Sequence, residues 1–158
     1  MTNRIFLVSL ASAGIIILAA IITFLLSGTG ACRDFSAGVV STPTTNIKVA
    51  IAENHLDQAR GLGGCKSLPK KTGMYFPYAT KQNPVFWMKG MRMSIDIVWI
   101  ADGKVVEVDA YIPPPTGQLD QDLIRYSAPR PIDAVLEVAA GKAKEYGLIP
   151  GAQIRIKK

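Results

Sequence analysis

The hydrophobic positions are concentrated in one uninterrupted stretch near the start of the chain. From Ile5 to Leu26 there is no charged residue and no proline. At 1.5 Å per residue this stretch forms a helix of roughly 33 Å, which matches a hydrocarbon core of about 30 Å. A helix without a polar face favours lipid over water. The pattern predicts a transmembrane anchor over residues 1–27, with membrane lipid in contact with Ile5 to Leu26.

Two alternatives to a retained anchor involve removal or lipidation of the same stretch. A cleaved secretory signal has a shorter apolar run, of about 7–15 residues. A lipoprotein signal would place the lipid on Cys32, but the preceding Thr29-Gly30-Ala31 matches that pattern only in part. The retained anchor fits best. Arg4 precedes it, and Arg33 and Asp34 nearly cancel just after it, so the positive-inside rule directs the C-terminal domain outward. The predicted location is the cytoplasmic membrane, crossed once, with the domain on the extracellular or periplasmic side.

Beyond the anchor the hydrophobic pattern changes twice. Residues 28–46 are rich in Gly, Ser, Thr and Pro, and are predicted to form a flexible linker. Residues 47–158 contain short apolar runs, several of which alternate as strands do. Asn54 is predicted to cap a short helix that ends at Gly61, with Leu56 and Ala59 facing inward. Strands are predicted at 46–52, 95–100, 104–112, 132–139 and 153–157, shorter apolar runs occur at 74–76 and 85–88, and a second helical turn is predicted within 141–146.

The clearest supersecondary signal is a hairpin. Ala101-Asp102-Gly103 separates two β-rich runs and has the composition of a hairpin turn. Pro113-Pro114-Pro115 ends the second run, because proline cannot donate a hydrogen bond to a neighbouring strand. About six short strands with little helix predict a mainly β domain, either a compact β-sandwich or a small barrel with one or two short helices.

The net charge of +6 is unevenly distributed. Charged residues from Arg60 to Arg92 are all basic, whereas those from Asp96 to Asp122 are mostly acidic. Our first interpretation is two solvated faces that attract each other in the fold. The second is a cationic surface for an anionic envelope ligand, such as lipid headgroups or wall polymer. Nucleic acid is not an expected partner, because no recognition motif is present.

The cysteines leave two alternatives open. Cys32 and Cys65 form a disulfide outside the cytoplasm, or remain a linker thiol and a small packed residue. With one histidine, His55, and no clustered ligands, neither a metal site nor a cofactor is predicted.

Two acids lie within apolar strands and are the first candidates for chemistry. Asp96 stands in Ser-Ile-Asp-Ile-Val and Glu137 in Val-Leu-Glu-Val. A buried carboxylate needs a partner, so each is most simply paired or turned to solvent. If both converged on one cleft, they could act as acid and as base or nucleophile on a glycan.

The segment Phe86-Trp87-Met88-Lys89 is a second candidate. Trp87 is most simply a large core contact. Alternatively, Trp87 forms an aromatic floor and Lys89 reaches an anionic ligand.

Several short motifs together resemble the domain-of-unknown-function family numbered 192, across roughly residues 47–157. The resemblance implies a compact, mostly β domain, often behind an export signal or anchor, and implies no reaction. The chain departs from the family at Gly64-Cys65, where a cation is common, and at Gly90-Met91, where Asn-Thr is common. The matching stretches are Arg60-Gly61-Leu62, Leu68, Gly73-Met74-Tyr75-Phe76, Phe86-Trp87-Met88-Lys89, Ile95-Asp96-Ile97 and Leu136-Glu137-Val138-Ala139-Ala140-Gly141.

The sequence thus predicts a membrane-anchored, extracytoplasmic domain that binds a ligand or an envelope component. The alternatives are a glycan hydrolase that uses Asp96 and Glu137, and a purely structural envelope protein. The candidate ligand-binding residues are Arg60, Trp87, Lys89, Asp96 and Glu137.

Overall fold

The computed structural model describes residues 32–158. The predicted anchor at residues 1–27 therefore lies outside the described residues. Between residues 32 and 158, no helix has the length and apolar character needed to cross a bilayer.

The described residues form seven strands and two short helices. The strands are β1 (Gly38–Ser41), β2 (Asn46–Ile51), β3 (Thr72–Gln82), β4 (Ile95–Ala101), β5 (Lys104–Ile112), β6 (Ile132–Ala139) and β7 (Arg155–Lys157). Helix α1 (His55–Arg60) follows β2, helix α2 (Lys142–Glu145) follows β6, and a single 3₁₀ turn lies at Asp120–Asp122.

All seven strands belong to one sheet, in the order β5-β4-β6-β3-β2-β1-β7. The pair β2 and β3 is parallel and is joined through α1, whereas the other neighbours are antiparallel. The sheet curls into a half-barrel, and its two ends approach each other where Lys104 of β5 bridges to Gln153 just before β7. The mainly β prediction is confirmed. The described chain has one curled sheet rather than the two packed sheets of a sandwich.

The curl gives the sheet an inner and an outer apolar face. Buried side chains from β1 to β6, joined by Leu148 and Ile154, fill the inner face. The outer face is apolar only over the central strands, where Met74, Phe76 and Trp99 are buried. Loops, not further strands, cover this outer face. Loop residues therefore contribute to the walls of pockets on this face.

The predicted hairpin is confirmed. Ala101 pairs with Lys104, and the two residues between them, Asp102 and Gly103, have φ of 54° and 67°. Positive φ at both positions is the requirement of the tight hairpin turns, which explains why Asp-Gly occurs here. Strand β5 ends at Ile112, directly before the proline run, as predicted.

Part of the predicted linker is folded, so that prediction is wrong from Gly38 onward. Residues 38–41 form β1, which pairs with both β2 and β7. The turn between β1 and β2 is held by Thr42, whose hydroxyl oxygen accepts from the N–H groups of Thr44 and Thr45. A Thr-rich composition predicts a flexible stretch. Here, however, a threonine hydroxyl takes the place of a backbone hydrogen-bond acceptor and fixes a turn.

One local expectation, the inward face of α1, is also wrong. Asn54 caps α1 as predicted, with its side chain accepting from the N–H of Asp57, but Leu56 is 84% exposed and Ala59 is also exposed. Strand β3 extends beyond the apolar run at 74–76. It continues to Gln82 across a shift in its register with β6, and proline is tolerated at such an irregularity.

The two oppositely charged stretches do contact each other. Lys81 pairs with Asp102 at 2.6 Å, and Lys89 pairs with Asp120 at 2.5 Å. All four side chains are about half exposed or more, so solvent screens both pairs and each contributes little to stability. The first interpretation of the charge pattern therefore holds for these pairs.

Candidate functional site

The outer face carries a pocket of about 430 Å³ over the middle of β6. Its walls come from α1 and the turn that follows it, from β3, and from the segment between β3 and β4. Glu137, on the central strand β6, is one of its lining residues. Ligand sites of small molecules commonly have volumes of about 300–1,000 Å³. The pocket is therefore large enough for a small ligand.

Glu137 is the most unusual group in the pocket. It is only 5% exposed, and its Oε2 atom has no hydrogen-bond partner within the described residues. Burial raises the pKa of this carboxyl to about 8, with Arg33 acting in the opposite direction. A buried polar atom without a partner is costly and rare in folded proteins. Burial therefore favours the neutral form of the carboxyl, and Oε2 still lacks a hydrogen-bond partner among the described residues.

Position in the sheet explains why this acid is buried. Glu137 pairs with Met74 on β3 and with Ile97 on β4, and all three side chains lie on the outer face. The strand on either side is apolar, so the acid cannot turn to solvent without exposing its neighbours. A β-carbon added at Gly61 would lie 3.9 Å from Oε2, so the turn after α1 covers the carboxyl closely.

Tyr78 and Arg33 interact electrostatically with this carboxyl, and Arg60 lines the same pocket. Burial first, and the charge of Glu137 second, raise the pKa of Tyr78 to about 12. Arg33 donates from Nε to the carbonyl oxygen of Gly61 at 2.9 Å, and from Nη2 to the same oxygen. Burial and then the neighbouring charge of Arg60 lower the pKa of Arg33 below its ordinary value, while Asp57 and Glu137 oppose that change. Arg60 thus lines the pocket itself, whereas Arg33 is bonded to the lining residue Gly61.

Trp87 and Lys89 stand at the pocket wall. Trp87 is 38% exposed, so it is not the fully buried core contact that the simplest interpretation expected. The guanidinium carbon of Arg125 lies 4.1 Å from the ring centroid of Trp87, and Nζ of Lys89 lies 5.2 Å from it. Because Lys89 also pairs with Asp120, much of its charge is already balanced. Arg60 has no such partner among residues 32–158.

Asp96 does not belong to this pocket. In the β4–β6 register Asp96 is opposite Val138, whereas Glu137 is opposite Ile97. Neighbouring positions in a strand point to opposite faces, so Asp96 lies on the inner face and Glu137 on the outer face. The two carboxyls cannot converge on one substrate. The hypothesis of a glycan hydrolase that uses this pair is therefore wrong.

Asp96 has a different set of contacts, all to backbone. Its Oδ1 accepts from the N–H of Tyr111 at 2.8 Å and of Gly141 at 3.0 Å, and its Oδ2 accepts from the N–H of Ala143 at 2.9 Å. The side chain is 1% exposed. Three backbone donors satisfy the buried carboxylate, which ties the end of β5 to the start of α2. These three contacts give Asp96 a structural role in the fold.

Cys32 and Cys65 form a disulfide, which resolves the two alternatives that the sequence left open. Cys65 is 1% exposed and belongs to the outer apolar cluster. The bond attaches the segment before β1 to the turn after α1, next to the pocket.

The sequence reasoning missed Arg33, Tyr78 and Arg125 as residues of this region. Arg33 was counted only as a charge next to the anchor. Arg33 could have been predicted from the possible disulfide. Pairing Cys32 with Cys65 brings residue 33 to the turn after Arg60.

The fold and the pocket define a class of small domain: a half-barrel sheet whose outer face holds a buried acid under loop cover. Residues 38–156 match the model of the DUF192 family, which is described as uncharacterized ACR, and the chain belongs to that family. This confirms the resemblance seen in the sequence motifs.

Two solved structures are similar to this chain. One is a protein of unknown function from Novosphingobium aromaticivorans, 26% identical, with a TM-score of 0.64 over 75% of this chain and 82% of that one. The other is a putative transcription regulator from Sinorhizobium meliloti, 22% identical, with a TM-score of 0.68 over 78% and 96%. The second likeness shows the fold alone. No curated protein matches the chain at a significant level.

Proposed function

We propose that this chain is a non-enzymatic binding domain, and that it takes a small anionic ligand with a cyclic body into the Glu137 pocket. The observation that carries the proposal is Glu137, which lines a cavity of about 430 Å³ and whose buried Oε2 has no hydrogen-bond partner among residues 32–158. A buried group of this kind is stabilised when a ligand supplies the missing hydrogen bond.

The charges around the pocket favour an anion over a cation. Glu137 is protonated at pH 7 and therefore donates its O–H rather than presenting a negative charge. Arg33 and Arg60 repel each other, and an anionic group between them would relieve that repulsion. Guanidinium groups also bind carboxylate and phosphate oxygens in pairs, which adds geometric selectivity.

The aromatic walls favour a ligand with a ring. Phe76, Tyr78, Phe86 and Trp87 all line the cavity. Phe86 packs edge-on against both Phe76 and Trp99, with ring centroids 5.1 Å and 5.5 Å apart, so this wall is held rigidly. Flat apolar surfaces of this kind suit a sugar or aromatic ring, while the charged groups select the anionic end.

We further propose that the domain lies outside the cytoplasm, held at the membrane by the apolar stretch from Ile5 to Leu26. The Cys32–Cys65 disulfide supports this location, because such bonds persist in oxidising compartments and are rare in the cytosol. An anionic envelope component is then a natural source of ligand.

Calorimetric titration of the full-length chain in detergent tests the choice of ligand. The probes are phenyl phosphate, benzyl alcohol and benzylamine, which share a ring and differ in charge. We expect phenyl phosphate to bind at least tenfold more tightly than benzyl alcohol, and benzylamine not to bind. Arg60→Ala should weaken phenyl phosphate by about tenfold, equivalent to about 1.4 kcal/mol.

Arg155→Ala is the matched control, because Arg155 is an exposed arginine on β7 that does not line the pocket. It should leave the affinity for phenyl phosphate unchanged. Equal losses in the two variants would mean that only net charge matters, and tighter binding of benzylamine than of phenyl phosphate would overturn the proposal.

Alkaline extraction of membranes from cells that express the chain tests the location. We expect the full-length chain to remain in the membrane pellet, because a helix buried in hydrocarbon is not released by high pH. Protease added to intact cells or spheroplasts should remove the domain if it faces outward. Recovery of the intact chain in the detergent-free supernatant of lysed cells would refute the anchor.

A further inference from the structure

Arg33 is distant in sequence from the residues that line the pocket, and it reaches them through the lining residue Gly61. Its guanidinium donates two hydrogen bonds to the carbonyl oxygen of Gly61, which lies 28 positions further along the chain. Gly61 has φ of 48° and is the first residue after α1. The guanidinium is thereby held at the turn that covers Glu137.

The backbone of that turn is itself fixed by hydrogen bonds. The N–H of Gly63 donates to the carbonyl oxygen of Arg60 at 2.9 Å, and the N–H of Cys65 donates to that of Leu62 at 3.1 Å. The N–H of Gly64 donates to the carbonyl oxygen of Gly90 at 2.9 Å, which links the turn to the Trp87 wall. A side chain bonded to this turn therefore has a defined position relative to both walls.

The residues on both sides of Arg33 are anchored as well. Cys32 is joined covalently to Cys65, and Phe35 is buried in the same outer apolar cluster as Cys65. Arg33 lies between these two attachments. Without the disulfide, only noncovalent contacts would restrain the segment, and the cost of ordering a long arginine side chain would rise.

The charge of Arg33 acts on Arg60 and Glu137, the two groups that we expect to contact an anion. The charge of Arg60 lowers the pKa of Arg33, and the charge of Arg33 favours the ionised form of Glu137. The hydrogen bonds to the Gly61 carbonyl use the Nε and Nη2 sides of the group. The Nη1 side is not engaged by any hydrogen bond within residues 32–158.

We infer that Arg33 is an anion-binding residue of the Glu137 pocket, and that the Cys32–Cys65 disulfide is what positions it there. The inference rests on the proposed function and names how its anion is recognised. The anionic group of the ligand, a phosphate or a carboxylate, lies between Arg33 and Arg60, and the protonated Glu137 donates to one of its oxygens. The pocket is complete only in the disulfide-bonded protein.

Two variants of the full-length chain test this inference by calorimetry with phenyl phosphate. Arg33→Gln removes the charge and keeps hydrogen-bond donors, and the double variant Cys32→Ser with Cys65→Ser removes the covalent attachment. Each should weaken binding by about tenfold. Combining all three substitutions should weaken binding little further, because the disulfide and the arginine act as one unit.

A second readout needs no ligand. With ¹³C-labelled glutamate, the carboxyl resonance of Glu137 reports its own titration, and Glu137→Gln identifies it. Because Arg33 stabilises the ionised form of Glu137, Arg33→Gln and the double serine variant should each move the titration of Glu137 to higher pH. Arg33→Lys should restore most of the Glu137 titration but little of the affinity, since a lysine lacks the planar fork.

The outcomes separate this inference from the proposed function. If the unmodified chain binds no phenyl phosphate while both variants shift the Glu137 titration, the proposed ligand is wrong and the positioning role of the disulfide stands. If the serine variant stays folded by circular dichroism and retains both the affinity and the Glu137 titration of the parent, the inference is wrong. If the serine variant does not fold, Arg33→Gln alone decides, and an unchanged affinity and titration would refute it.

Discussion

Glu137→Gln is expected to remove most of the alkaline loss of stability that the domain shows between about pH 4.5 and pH 8. The carboxyl of Glu137 has an ordinary pKa of 4.5, which burial raises to about 8 in the folded protein. In the unfolded chain the group ionises near its ordinary value. Between these two pH values the folded state therefore holds one proton more than the unfolded state.

The sign of the effect follows from that proton. Stability falls as pH rises wherever the folded state binds more protons than the unfolded state. Below about pH 4.5 both states are protonated and the group imposes no penalty. Above about pH 8 both are ionised, and the penalty is constant. Its full size is on the order of 4 kcal/mol, because the group is almost completely buried.

Urea denaturation of both proteins from pH 4 to pH 9.5 measures the difference. The glutamine variant should match the parent near pH 5, where Glu137 is neutral, and should exceed it by a few kcal/mol at pH 9. Glu107→Gln is the matched control, since Glu107 is an exposed glutamate on β5, and its curve should run parallel to that of the parent. Parallel curves for Glu137→Gln as well would mean that the carboxyl is ionised at neutral pH, and the donor role in the pocket would be lost.

Local signals in the sequence were sufficient to predict the elements that depend on contacts between residues close in sequence. The Asp102-Gly103 turn needs positive φ at two positions, and few residue pairs allow it. Asn54 caps α1 through a contact three residues away. Such features depend on neighbours in sequence, so they are visible without the fold.

The relation between Asp96 and Glu137 could not be predicted in the same way. Both lie in strands that are apolar at nearly every position, because the central strands are buried on both faces. Without a polar face to mark the outside, alternation does not tell which side either acid occupies. Only the register between β4 and β6 places them on opposite faces.

Arg33 could not be predicted from local signals for another reason. It lies in the predicted linker, and contacts with residues distant in sequence bring it to the site. Its segment has no strand pattern, and its contact with Gly61 depends on the disulfide and on the burial of Phe35. The exposed Leu56 shows the converse. Helical spacing predicted an inward side chain, but α1 has fewer than two turns, and its contact with the sheet comes through the turn after it.

Asp96→Asn is expected to destabilise the domain by about 3 kcal/mol without changing the affinity of the pocket. The carboxylate accepts from three backbone N–H groups, and hydrogen bonds to a charged acceptor contribute roughly 1.5–3 kcal/mol each. Asparagine replaces one oxygen with an amide nitrogen, which then faces a backbone donor. Tyr111 adds to the cost, because its φ of 58° is unfavourable for a bulky residue and its N–H is one of the three donors.

Thermal unfolding and calorimetry together separate the structural role of Asp96 from a binding role. For a domain of this size, a loss of about 3 kcal/mol lowers the melting temperature by roughly 10 °C. Asp133→Asn is the matched control: Asp133 accepts a single backbone bond at the surface, from the N–H of Asp102, so its loss should stay below about 1 kcal/mol. At 15 °C, where both variants remain folded, each should bind phenyl phosphate as the parent does, because the inner face does not contribute to the pocket. A stable Asp96→Asn protein that no longer binds phenyl phosphate would contradict the structural role and make Asp96 a binding residue. Its ligand would have to reach both faces of the sheet, which the packing of β4 against β6 does not allow.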